Sequence, residues 1–147
     1  MSPARRPDEV VVVVRRPLPQ GGLETLVLLR SRERGGYWNL PAGGAEWAED
    51  VAAAAVRELR EETGLDAGVK ALELDLRYSL LGKTPEERAR YGDADTVRLH
   101  GFVADAPAGW EPQLDEEHVA HRWCTREEAV ALLAYPEPRV AVEAALA

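Results

Sequence analysis

This 147-residue chain has one cysteine, one methionine and one phenylalanine, and very few of its 18 positive residues are lysine. With Cys124 alone, no intrachain disulfide can form, so the fold must stand on its core. No apolar run approaches the roughly 20 residues that a membrane-spanning helix needs, and none has the layout of a secretory leader. The expected compartment is therefore the cytoplasm, with no membrane partner. A formal net charge of −8 leaves no broad basic footprint, which argues against a nucleic-acid polymer as ligand. An acidic chain that handles a phosphate-bearing small molecule would need added cations. Arginine suits phosphate because its fork is planar, although genomic base composition alone produces the same bias and is the simpler reading of it.

The chain does have enough apolar residues for one ordinary core. At 46 % hydrophobic it is expected to form a single domain over 1–147, with residues 1–8 a loose polar lead-in. Val10 to Val14 is a β-branched run typical of a buried strand. Pro17 to Gly22 reads as a hairpin turn, and Thr25 to Leu29 as the returning strand. After a charged turn and a glycine-bearing loop, Asp50 to Thr63 reads as a helix stopped by Gly64. Val69 to Leu81 and Thr96 to Val103 read as strands, separated by a charged loop from Gly82 to Asp95. A short strand at Ala120 to Cys124 precedes a helix opened by a Thr125/Glu128 capping-box pattern. Pro136 and Pro138 are expected to interrupt the chain before a terminal helical turn or two. This order predicts an α+β fold, an α/β/α sandwich around a mixed β-sheet.

On the mid-chain helix, Glu58, Glu61 and Glu62 stand at i, i+3 and i+4 and share one stripe. Ala52, Ala55, Val56 and Leu59 fall on another side. Like charges at that spacing cost about 0.2–0.5 kcal/mol per pair, so a cation should compensate. A solvated face balanced by Arg57 and Arg60 would do; so would Mg²⁺, a hard ion that takes carboxylates and keeps waters to share with phosphate.

The wider segment decides between these readings. Gly43-x5-Glu49-x7-Arg57-Glu58-Leu59-x-Glu61-Glu62-x-Gly64-Leu65 resembles the Nudix box at all nine defined positions, and Trp38-x-Leu40-Pro41 leads into it as in that family. The resemblance implies a Nudix-type sandwich and a hydrolase that cuts phosphoanhydrides with Mg²⁺, for which Mn²⁺ can substitute. It implies Glu58, Glu61 and Glu62 as metal ligands, with Glu62 foremost and Glu61 or Glu62 helping to activate water. Arg57 and Glu49 would brace them, and Gly43 and Gly64 would let the flanking loops turn. Ala42 and Ala48 stand where the family more often has glycine.

Further along, Glu117-His118-x3-Arg122-Trp123 is similar to wording found in diadenosine polyphosphate hydrolases and in some nucleoside triphosphate pyrophosphohydrolases of that family. This makes Glu117 a candidate catalytic base, while His118 reads as a bystander and Trp123 as a packing residue. Arg30, Arg32, Tyr78, Arg90 and Tyr91 are candidate substrate contacts, the arginines for phosphate and the tyrosines for a base. The expected partner is a small nucleotide: a nucleoside triphosphate or a dinucleoside polyphosphate. ADP-ribose or another sugar nucleotide, and a nucleotide-binding module with little catalysis, are the alternatives. A monomer and a homodimer are equally compatible with the sequence.

Overall fold

Val10 to Val14 are all at most 1 % exposed because the strand that carries them, β1 (Asp8–Pro17), lies at the middle of a sheet covered on both faces. Full burial of one such side chain stabilises by about 1.5–3 kcal/mol. The computed structural model describes residues 4–147. Beside β1 run β2 (Leu23–Arg30), antiparallel, and β7 (Thr96–Asp105), parallel to it over its whole first half and beyond. β3 (Trp38–Asn39) and β8 (His118–Cys124) pair with β2, and β4 (Ala42–Gly44) pairs with β1. β5 (Lys70–Ala71) and β6 (Leu76–Ser79) both pair with β7. The sheet is mixed, as expected, with β1 and β7 as its parallel pair.

The period of two along β1 assigns its valines to two cores. Val10, Val12 and Val14 pack with Ala54, Ala55 and Leu59 of α1 (Val51–Thr63). Val11 and Val13 pack on the other face with Ala129 of α3 (Arg126–Leu132) and with Ala141 and Val142 of α4 (Pro136–Ala145). The result is the α/β/α sandwich that the element order predicts. Asp50 caps α1 by accepting from Ala52 N–H at 2.7 Å, and Gly64 ends it at φ 79°, a left-handed value that suits glycine. The Thr125/Glu128 capping box is present at the start of α3.

Four local expectations are corrected. The lead-in is tied down from residue 4 onward: Trp47 Nε1 donates to Ala4 O at 2.6 Å, and the Arg6 guanidinium donates to Glu46 O and Glu49 O. Residues 1–3 of that lead-in lie outside the described residues. The strand expected over Val69 to Leu81 is two short strands, because the chain turns at Leu72–Leu74 and sends both leucines into the core. The charged loop from Gly82 to Asp95 contains a short helix, α2 (Pro85–Ala89), capped by Thr84. Pro136 and Pro138 do not interrupt the chain. They sit in the first turn of α4, where a missing N–H costs no hydrogen bond.

Candidate active site

The loop through β4 meets the acidic stripe of α1 because Gly43 leaves room for it. A Cβ built on Gly43 would overlap the Glu58 carboxylate, with Oε2 at 2.6 Å. The expected reason for this glycine, a tight turn, is therefore corrected. Its φ is not among the positive ones, and what it supplies is space.

Arg57 organises the carboxylates around it. Its Nε and Nη2 donate to the two oxygens of Glu49, both at 2.9 Å, and its Nη1 donates to Glu58 Oε1 at 2.9 Å. Glu61 Oε2 lies 3.6 Å from the same guanidinium. The fork holds the Glu49 carboxyl down at about 2, and the same hydrogen bonds raise the pKa of Arg57.

The three stripe glutamates differ in environment. Glu61 is the exposed one, with a side chain 58 % accessible, whereas that of Glu58 is 14 % accessible. Glu62 is buried, so the shared stripe does not give its members a shared exposure. Its two oxygens accept from Ala42 N–H at 3.2 and 3.3 Å, and His118 Nε2 stands 3.7 Å from Oε1. Burial pushes the Glu62 carboxyl up to about 9, an effect that the Ala42 N–H opposes and the charges of Glu58 and Asp115 reinforce. Burial also raises Glu58 to about 7, against the pull of Arg57. The site thus contains more negative charge than its arginine neutralises. Hard oxygen donors short of positive charge fit a divalent cation in chemical type. Among the described residues, no three carboxylate, imidazole or thiol groups already converge on one point, since Glu58 and Glu61 turn toward Arg57 and Glu62 toward Ala42.

Two adjoining clefts open from this centre. One, of about 580 Å³, is lined by Glu58, Glu61, Asp115 and Glu117 together with Arg5 and Arg6. The other, of about 490 Å³, is lined by Tyr37, Tyr78, Tyr91 and Tyr135, with Lys83 and Arg90 at its side. Arg5, Glu9, Arg30, Gly43 and Tyr91 border both.

Most of the candidate residues meet here. Glu117 comes from the segment before β8 to face Glu58 and Glu61, with Arg34 at 3.3 Å from its Oε1. Arg30 lies at the junction of the clefts, its Nε held by Arg34 O at 2.9 Å. Arg32 is not brought in: it sits in an exposed 3-10 turn, Arg32–Arg34. Trp123 packs against Trp110 and under the Arg16 guanidinium, in the packing role expected of it.

Two further residues stand at the site that the sequence does not single out. His118 is no surface bystander: it is 5 % exposed, with Nδ1 2.7 Å from Asp115 Oδ1, and it backs Glu62. Its position directly after Glu117 was the available signal. Glu9 accepts from Tyr78 Oη at 2.5 Å and from Tyr91 Oη at 3.0 Å; nothing local in the sequence announces that meeting.

The chain is similar to several known proteins. The chain is 36 % identical over 114 residues to an RNA pyrophosphohydrolase of Roseobacter denitrificans, covering 67 % of this chain and 71 % of that one. It is 26 % identical over 146 residues to the mouse asymmetrical bis(5'-nucleosyl)-tetraphosphatase, covering 95 % and 92 %. A Myxococcus xanthus octanoyltransferase is 36 % identical over 129 residues, 86 % of this chain; the chain spans about a third (34 %) of that protein. In fold it is similar to the Escherichia coli dihydroneopterin triphosphate pyrophosphohydrolase, with a TM-score of 0.81 at 22 % identity over 99 % of this chain and 98 % of the other. The NUDIX domain model matches residues 5–145, and with the nine box positions in place around α1 the chain belongs to the Nudix family of hydrolases that act on phosphoanhydrides.

Proposed function

We propose that this chain hydrolyses a phosphoanhydride bond of a nucleoside polyphosphate, either a nucleoside triphosphate or a dinucleoside polyphosphate, with a divalent cation, Mg²⁺ or in its place Mn²⁺. The observation that carries this reading is the junction of an acidic cleft with an aromatic one, bordered by Arg5 and Arg30. A polyphosphate laid across that junction would reach the glutamates while its nucleoside entered the tyrosine-lined side. One relative, the mouse bis(5'-nucleosyl)-tetraphosphatase, is named for a substrate of this class and supports the reading. Cytoplasmic location belongs to this reading.

Glu58, Glu61 and Glu62 are the residues that would hold the cation. When bound, it would withdraw charge from phosphate oxygens and acidify the attacking water. Everything else falls to the chain. Arg57, fixed by Glu49, sets where Glu58 stands. Ala42 N–H and His118 set the position of Glu62. Glu117, which lines the acidic cleft with Glu58 and Glu61 and is 41 % exposed, would accept the proton of that water. Arg30 and Arg5 bind the polyphosphate and offset its charge. A water attacking phosphorus needs no enzyme nucleophile, so Ser31, Ser79 and Cys124 have no chemical role in this scheme.

The test is product analysis with Mg²⁺ on nucleoside triphosphates, diadenosine polyphosphates and ADP-ribose, beside Glu62→Gln. Magnesium-dependent cleavage of the first or second class, lost in the variant, is the expected result. Cleavage of ADP-ribose alone would move the substrate to sugar nucleotides, and no turnover of any compound would sink the catalytic reading.

A further inference from the structure

Glu9 is a carboxylate that lines both clefts, beside the tyrosines of one and the basic residues Arg5 and Arg30 that the two share. It lies on β1 opposite Gly44 of β4 on one side and Leu99 of β7 on the other, so the middle of the sheet fixes its backbone. Alternation along β1 puts its side chain on the face of Val11 and Val13, beneath the start of α4, whose Pro136 and Pro138 wall the same cleft. The partners that hold it are two hydroxyls: Tyr78 from β6 at 2.5 Å and Tyr91 from beyond α2 at 3.0 Å. Burial, reinforced by the Glu9 charge, raises the pKa of both tyrosines, so both stay protonated and act as donors.

An ionised carboxylate offers about four acceptor sites, and the tyrosines use one on each oxygen. The remaining sites can be met by a ligand only through N–H or O–H donors. At the junction that Glu9 shares with Arg5 and Arg30, its negative charge repels phosphates and leaves them to the two arginines. Orientation and selectivity would then have one cause.

Resting on the reading that the tyrosine-lined cleft takes the nucleoside, we infer that Glu9 is a specificity-determining residue that selects a base with a ring N–H beside an exocyclic amino group. That edge is the 2-amino-6-oxo edge of a guanine-type base, whose two parallel N–H groups match the two oxygens of one carboxylate. Adenine presents an amino group beside a ring acceptor, which would point a lone pair at Glu9. Hypoxanthine keeps the ring N–H and lacks the amino group, so it ranks between them.

The experiment measures kcat/KM for GTP, ITP and ATP with Mg²⁺, and separately the affinities of GMP and AMP by calorimetry without metal. The expected order is GTP over ITP over ATP, with GTP favoured over ATP by roughly 10- to 100-fold, the range for a bidentate base contact. In Glu9→Gln the amide keeps the size of the side chain but places a donor where an acceptor is needed, so the GTP-to-ATP and GMP-to-AMP ratios fall toward one. Tyr78→Phe, which frees one oxygen of Glu9 without removing it, should shrink both ratios less. Turnover of all three triphosphates at equal efficiency, or a guanine preference that survives in Glu9→Gln, would overturn the inference and leave the proposed reaction intact. No turnover of any triphosphate, with GMP still favoured over AMP and the preference lost in Glu9→Gln, would remove the reaction and keep the base contact. Equal affinities for the two monophosphates would remove the contact.

Discussion

Replacing Gly43 by alanine should separate activity from stability. The added Cβ needs about 3.3 Å from a carboxylate oxygen, a usual carbon–oxygen contact, and it would find Glu58 Oε2 at 2.6 Å and Cδ and Oε1 closer still. The carboxylate must therefore shift by on the order of 1 Å, and a misplacement of that size can cost roughly 10²-fold in rate. The fold should suffer little, since the displaced group is the end of a rotatable side chain. Its hydrogen bond from Arg57, now 2.9 Å, would lengthen, a loss at the low end of the ~1–3 kcal/mol range for overpacking. The alanine also restricts the unfolded chain, which offsets about 0.4–1 kcal/mol of that. Urea denaturation should thus show a change within about 1 kcal/mol, while kcat at saturating substrate falls by roughly two orders of magnitude and the Mg²⁺ requirement rises. Gly44→Ala is the matched control, because a Cβ there meets nothing within 4 Å, and it should resemble the parent in both assays. Parental kcat and Mg²⁺ dependence in Gly43→Ala would show that the present place of Glu58 does not matter to the reaction.

Three further outcomes follow from the same geometry. Glu58 and Glu62 bind protons more tightly folded than unfolded, with carboxyls at about 7 and about 9 against 4.5. Their contribution is complete below the unfolded value and lost as pH rises through those two values. The Tm of EDTA-treated protein should fall between about pH 5 and about pH 9, less steeply in Glu62→Gln, and added Mg²⁺ should raise it more at the alkaline end; a flat profile would contradict the assignment. Arg57→Lys retains the charge but loses the fork that joins Glu49 to Glu58, so it should lose kcat and about 1–2 kcal/mol of stability, discounted for partial exposure. Unchanged kcat in that variant would reduce Arg57 to a surface charge. Thr25 is fully buried and its Oγ1 has no hydrogen-bond partner among the described residues, so Thr25→Val should stabilise by about 1 kcal/mol in urea denaturation. Destabilisation there would reveal an unseen partner for the hydroxyl.

The sequence by itself determined whatever depends on near neighbours. The valine run of β1, the Asp50 cap and Gly64 stop of α1, and the Thr125 capping box are local features. The Glu49–Arg57 brace spans eight residues across one helix start. Local preference misled where it permits two outcomes: Pro136 and Pro138 suit a first helical turn as well as a break, and Leu72 to Leu74 continues an apolar pattern although the backbone turns there. Only the tertiary structure decided which of three equivalent glutamates is buried. That depends on β4 delivering Ala42 N–H, and the start of β8 delivering His118, to Glu62 and not to Glu61. It alone brought Glu9 together with Tyr78 and Tyr91, 69 and 82 residues away, because β1, β6 and the chain after α2 converge only once the sheet is assembled. Helical spacing fixes a stripe, but burial and long-range contact belong to the elements packed against it.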